Sequence, residues 1–297
     1  MTGADTILVT GATGNTGRRV ADRLVERGHR VRTASRHRPE RPEAARRHVR
    51  FDWDDQDTYR AVLDGVRGIY LIPPLGDTEP ARQMRPFLDL ALDAGVRRVV
   101  LLSASAVPAG GTGLGLVHTA IGEMFPEWAV LRPSWFMQNL ANDHMHAHGI
   151  RERGEIVTAT GDGRVGFIDA ADIAAVAVRA LTDPVPHNTD HLLTGPQALS
   201  YAEVAATITE LSGRPVRHRG VTVDVLRQRL ADTGIPDDFA ALLAGMDHAI
   251  AGGAEDRTTS TVTDVTGDAP TSFREFCAVH ARRWRPAGVD AGPAVTP

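Results

Sequence analysis

The stretch from Thr6 to Gly17, "TILVTGATGNTG", decides the fold. Its first half is a short β-branched and aliphatic run of the kind that forms a buried strand. An apolar-periodic segment follows from about Thr16 to Arg27, with Val20, Leu24 and Val25 on one face and Gly28 as a helix stop. Between strand and helix lies Gly11-Ala-Thr-Gly14-Asn-Thr-Gly17. In that setting the glycines permit a tight turn and let the backbone approach a pyrophosphate resting on the positive end of the helix. The loop therefore predicts dinucleotide binding, with Gly11, Thr13, Gly14, Asn15, Thr16 and Gly17 as contacts. The chain contains neither Gly-x-x-x-x-Gly-Lys, for a nucleoside-triphosphate loop, nor Gly-x-Ser-x-Gly, for a hydrolase nucleophile elbow.

Working outward, strand-like runs recur at 30–35 ("RVRTAS"), 48–52 ("HVRFD"), 68–73 ("GIYLIP"), 97–105 ("RRVVLLSAS") and 128–133 ("WAVLRP"). Helix-like stretches at about 55–64 and 79–94 lie among them. Several of the strands are continuous apolar runs, as in parallel sheets covered on both faces. The pattern predicts an α/β fold, a doubly wound parallel-sheet Rossmann domain over residues 1–184. Later segments read as a helix at 134–149, a strand at 155–160 and a helix from Asp169 to Leu181. Residues 134–155 are expected to contribute to a substrate cleft, and 185–285 to form a smaller, mainly helical substrate domain. In that domain Ser200 and Glu203 make a capping box for 200–213. The Pro/Gly/Ala-rich 286–297 reads as a disordered tail.

Composition narrows the function. Of 297 residues, 42% are hydrophobic and 24% charged, as in an ordinary globular protein, and the net charge of −4 offers no general attraction for nucleic acid or anionic membrane. The only cysteine, Cys277, excludes an internal disulfide and a cysteine-based zinc site. With no apolar stretch long enough to span a bilayer, the expectation is a cytoplasmic monomer or homodimer acting on a small molecule. All 33 basic residues are arginine, so no lysine amine is available for proton transfer or cofactor contact.

The second strand ends in Ser35-Arg36-His37-Arg38. An arginine here, where NAD enzymes place an acid, suits the 2′-phosphate of NADP(H), with Arg36 the leading contact and Arg38 the second. Asp52 either accepts from the adenine amino group or belongs to a surface turn. Ile72 and Pro73 at the end of the fourth strand, Ser103 at the carboxyl end of the fifth and Pro133 at the end of the sixth complete the expected cofactor contacts.

The glycine loop, Arg36, "LLSASAV" (101–107), "LRPSWFMQN" (131–139), "GFIDAADIA" (166–174) and "LTGPQALSYAEVA" (193–205) together resemble the NmrA-like group of atypical short-chain dehydrogenases. That group includes NAD(P)H:quinone oxidoreductases and iminium reductases of the festuclavine-dehydrogenase type. The resemblance covers roughly residues 5–285 and implies a cleft between a Rossmann domain and a C-terminal substrate domain. Ordinary members of the wider superfamily carry Tyr-x-x-x-Lys after the fifth strand. In "HTAIGEMF" (118–125) the matching positions hold His118 and Gly122. A quinone reductase of this group is expected to show His-x-x-x-Glu-Lys, where this chain has His-x-x-x-Gly-Glu.

Without that dyad, unactivated ketones are poor acceptors, because a positioned acid typically supplies about 10² to 10⁴-fold. A quinone, iminium or activated carbonyl needs less help. His118 and Ser103 are the expected catalytic groups, and Ser105, His118, Trp135, Phe136, Gln138, Asn139 and Phe167 the expected acceptor contacts. "PAGGTGLG" (108–115) reads as a flap over this region or a passive loop. "HMHAH" (144–148) offers two histidines on one helical face and no defined third ligand, so no metal is expected. Two functions stay open: NADPH-dependent reduction of a planar electrophile, or non-catalytic NADP(H) sensing with a protein partner.

Overall fold

The structure, a computed structural model, describes residues 6–37 and 46–284; Arg38 and the expected tail at 286–297 lie outside them. Its first half runs β1 (Thr6–Thr10), α1 (Asn15–Glu26), β2 (Arg30–Ser35), β3 (Arg46–Arg50), α2 (Tyr59–Leu63), β4 (Val66–Leu71), α3 (Ala81–Asp93), β5 (Arg98–Leu102), α4 (Leu114–Met124) and β6 (Glu127–Pro133). Then come α5 (Met145–Arg153), β7 (Glu155–Thr158), β8 (Arg164–Val165), α6 (Ala170–Thr182), β9 (Thr189–Leu193), β10 (Leu199–Ser200) and α7 (Tyr201–Ser212). The described chain closes with β11 (Arg217–Gly220), α8 (Val223–Asp232), α9 (Asp237–Ala251), α10 (Thr261–Thr266) and α11 (Phe273–His280).

Seven parallel strands form one sheet in the order β3-β2-β1-β4-β5-β6-β9. The order reverses between β1 and β4, the place where open α/β sheets bind ligands outside the strands' carboxyl ends. Period-2 alternation divides the core into two layers. Ile7 and Val9 of β1 pack with Val20 and Leu24 of α1 and Ile173 and Ala177 of α6. Leu8 faces the opposite layer of Tyr59, Met84, Phe87 and Ile121.

Beyond residue 184, where the second domain is expected to begin, the chain first returns to the main sheet. Strand β9 pairs with β6 from Ala129–Thr189 to Pro133–Leu193 and so covers an otherwise open sheet edge. Helix α10 likewise returns to pack on α6 and β9. The helix expected over 134–149 is a 3-10 turn at Met137–Leu140 followed by α5, which starts only at Met145. His144 caps α5, its Nδ1 accepting from His146 N at 3.2 Å. Strand β7 pairs with β11, away from the main sheet. The second lobe has its own core, including Met137, Leu140, Ile156, Phe167, Tyr201, Phe276 and Trp284. Among the described residues no helix is long and apolar enough to cross a membrane.

Candidate active site

Site residues gather at the carboxyl ends of the strands. After β1, Gly11 adopts φ +56°, a region costly for any residue with a Cβ. Gly14 N donates to Gly11 O at 2.9 Å, closing the turn. A Cβ on Gly17 would lie 2.4 Å from Gly11 O, and one on Gly14 3.2 Å from it, so backbone fills the space a side chain would take. The first turn of α1 carries no acid and no side-chain cap, which leaves its amides facing the loop. Ile72 closes the other side, its amide donating to Thr10 Oγ1 at 2.7 Å and its side chain lying against Gly11.

A cavity of about 660 Å³ opens onto this loop, lined by Thr13, Gly14, Asn15, Arg18, Asn142, Arg151 and Arg283 among others. Asn142 Nδ2 donates to Asn15 Oδ1 at 2.7 Å, and Arg283 Nη1 donates to Asn142 Oδ1 at 2.8 Å, tying the end of the described chain to the loop. Three guanidiniums, with Asp143 among them, line this cavity beside a glycine loop and an open helix end, a combination suited to a polyanion. Sequence reasoning missed Arg18, Arg151 and Arg283. The position of Arg18 just past Gly17 was the one available signal; the other two are brought in by the second lobe. Arg36 is exposed at the end of β2, where Ser35 Oγ donates to His37 O at 2.7 Å and shapes the turn. Asp52 is engaged in its own turn, its Oδ1 accepting from Asp54 N at 3.3 Å, with Arg50 at 3.8 Å.

At β5 and β6, Ser103 N donates to Leu131 O at 2.7 Å and Ser105 N to Pro133 O at 2.9 Å. Both side chains are buried; the Ser103 hydroxyl closes no hydrogen bond among the described residues, and that of Ser105 stands beside the Glu255 carboxyl. The hydroxyl of buried Ser134 faces the same carboxyl. Beside them lies a second cavity of about 460 Å³. Trp135 and Ser105 form one wall, Ala241, Leu242, Met246 and Ala249 of α9 the other, and Glu255 and Arg257 the end.

The other expected acceptor contacts are placed differently. Gln138 is buried and fully used: Nε2 donates to Asp169 Oδ1 at 3.1 Å while Oε1 accepts from Ala170 N at 2.9 Å. It supports the start of α6, where Asp169 is the cap. Phe167 packs edge-on to Tyr201, ring centroids 5.3 Å apart, inside the second core. Phe136 packs on the sheet core, and Asn139 lies in the 3-10 turn. Trp135 alone of this set lines the acceptor-sized cavity.

His118 is 4% exposed, on the face of α4 that carries Val117 and Ile121 against the sheet. Its ring lies 6.0 Å from that of Trp128, and its Nδ1 closes no hydrogen bond among the described residues. Burial pushes its pKa below the ordinary histidine value, with Asp190 opposing and Arg132 adding to the shift. Burial thus favours the neutral imidazole, and His118 is not among the residues lining the cavity of about 460 Å³. The "HMHAH" histidines border a third cavity of about 750 Å³ between α5 and α8.

A family model described as NAD(P)H-binding matches residues 11–126. An uncharacterized oxidoreductase, YesF, of Bacillus subtilis is 48% identical over 94% of this chain and 96% of its own. Agroclavine dehydrogenase of Claviceps fusiformis is 38% identical over 94% of this chain and 98% of its own. The NADPH complex of an NADPH-dependent quinone oxidoreductase from Escherichia coli superposes with a TM-score of 0.77 at 24% identity, covering 92% of this chain and 99% of that one.

Proposed function

Because the chain belongs to the atypical short-chain-dehydrogenase type of NAD(P)H oxidoreductase, we propose that it uses NADPH to reduce a small planar electrophile, a quinone, iminium or activated carbonyl. The observation that carries this reading is the cavity beside Ser105: apolar along α9, with Trp135 in its lining, and placed at the carboxyl ends of β5 and β6. Such a slot accepts a flat apolar molecule and gives it few polar contacts.

The glycine cradle fits a dinucleotide, since backbone atoms occupy the space side chains would need. Gly11, Thr13, Gly14, Asn15, Thr16 and Gly17 hold the pyrophosphate with Arg18, while Ile72, Pro73, Ser103 and Pro133 border the nicotinamide end. Bound there, NADPH supplies hydride from nicotinamide C4. The buried Ser103 and Ser105 hydroxyls orient the acceptor or the cofactor's amide, and Trp135 with α9 excludes water from the reacting face. No tyrosine serves as donor: Tyr59, Tyr70 and Tyr201 are buried in the two lobes.

The test is NADPH consumption by the purified protein across quinones, preformed iminium salts and simple ketones. Turnover of the first two classes about 100-fold or more above the ketones is expected. Tight NADPH binding with no consumption on any acceptor would overturn the reading in favour of cofactor sensing. The choice of NADPH rests on Arg36 at the end of β2. Arg36→Ala is expected to raise the NADPH Kd about 10- to 100-fold, the worth of a charge-assisted phosphate contact, and the NADH Kd by no more than about threefold. Equal losses for both cofactors, read by titration calorimetry, would remove Arg36 from the 2′-phosphate.

A further inference from the structure

The acceptor cavity has one end that its apolar walls do not explain. Residues 252–260 join α9 to α10 across the carboxyl ends of β6 and β9. This strap is pinned where it meets β9: Thr259 N donates to Thr194 Oγ1 at 2.8 Å, and Thr259 Oγ1 donates to Leu192 O at 2.9 Å. From the strap Glu255 turns inward and is 3% exposed. Its Oε1 accepts from Arg257 Nη2 at 3.3 Å, whereas buried Oε2 closes no well-formed hydrogen bond; the Ser105 and Ser134 hydroxyls stand beside the carboxyl, and the residue lines the end of the cavity. A carboxyl oxygen buried without a well-formed hydrogen bond is costly unless it is protonated or meets a ligand.

Building on the proposed acceptor site, we infer that Glu255 is the proton donor that replaces the missing tyrosine for acceptors whose reduction takes up a proton. The groups facing it are the Ser105 hydroxyl at the end of β5, the Ser134 hydroxyl and Arg132 guanidinium of the β6 region, and Arg257 of the strap. Arg132 is itself held by Asp190 of β9 at 2.6 Å and donates to Ser105 O at 2.9 Å. Burial pushes the Glu255 carboxyl above the ordinary glutamate range, against the opposing pull of Ser105, Arg257, Ser134 and Arg132. That holds the acid form closer to neutral pH than a surface glutamate does.

A quinone in the cavity gains hydride from the reduced nicotinamide and a proton from Glu255, giving the two-electron-reduced hydroquinone. The nicotinamide ends oxidised, and Glu255 ends as a carboxylate that regains its proton from water. A preformed iminium gains the hydride alone and ends as a neutral amine, with no proton taken up. This difference separates the donor role from a purely structural one.

The experiment measures kcat for menadione and for an N-methyl dihydroisoquinolinium salt across the neutral range, with wild type and Glu255→Gln. In the wild type the quinone rate is level below the Glu255 pKa and falls about tenfold per unit above it, because the acid form donates. Glu255→Gln, nearly the same shape, is expected to lose about 100-fold on menadione, to flatten that limb, and to lose at least about tenfold less on the iminium. Glu255→Ala is expected to regain quinone turnover when acetate or formate is added, since the cavity then admits a small acid. Independently of turnover, the infrared difference spectrum between cofactor-free wild type and Glu255→Gln should carry a protonated-carboxyl band below the Glu255 pKa, separate from those of half-buried Asp172 and buried Asp247. Equal losses on both acceptors, a limb that survives in Glu255→Gln, or no such band each overturns the donor role alone. A wild type that turns over neither acceptor overturns the proposed function.

Discussion

Gly17→Ala is expected to abolish useful dinucleotide binding, raising the NADPH Kd by about 100-fold or more, equivalent to about 2.7 kcal/mol. The new Cβ would stand 2.4 Å from Gly11 O and 2.9 Å from the Gly11 carbonyl carbon, and both are backbone atoms with no rotamer to yield. Either α1 moves back from the loop or Gly11 leaves its φ of +56°, and each opens the turn whose amides face the phosphates. Gly14→Ala meets the same oxygen at 3.2 Å and should weaken binding less. Gly28→Ala is the contrast: its φ of +83° makes an alanine strained, yet nothing lies within 4 Å, so it should cost about 1–2 kcal/mol of stability and leave binding alone. Calorimetric titration with NADPH reads the order directly. A Gly17→Ala protein that binds like wild type would show that the loop is only a turn.

That the loop could be read from the sequence, while much of the acceptor site could not, has a physical reason. The strand, the three glycines and the helix sit within Thr6–Glu26, where each local preference demands the same geometry. The parallel sheet was legible for a similar reason: strands buried on both faces are continuous apolar runs. "TDHLL" is not such a run, so the seventh strand escaped notice until its pairing with β6 placed it. At the acceptor site, position after β6 marks the segment as cleft-forming but does not say where each side chain points. Trp135 faces the cavity, whereas Gln138 is consumed by Asp169 and Ala170, and Phe167 by Tyr201. Glu255 gives no signal at all: "GGAEDR" reads as a polar turn, and only the strap's course over the sheet buries it. His118 was legible as a residue in the tyrosine's place, but it is buried with its ring near Trp128 and is not among the residues lining the cavity.

The second large effect comes from the far end of the described chain. Trp284 is fully buried in the second-lobe core with Met137, Leu140, Ile150 and Phe276, and its Nε1 donates to Leu140 O at 2.6 Å. Trp284→Ala leaves both a cavity and an unmatched carbonyl, and is expected to cost about 3–5 kcal/mol, with the melting temperature lower by about 10 °C. Trp284→Phe keeps most of the ring, so the difference between the two variants separates packing from the indole hydrogen bond. The substitution should also reach the cofactor. Arg283, the preceding residue, holds Asn142, which holds Asn15 at the first turn of α1. Once the anchor is gone, this chain of contacts loses its fixed end, and NADPH affinity should fall even under conditions where the protein stays folded. A destabilised Trp284→Ala protein with unchanged NADPH affinity would confine Trp284 to the core and break the proposed link between the second lobe and the phosphate site.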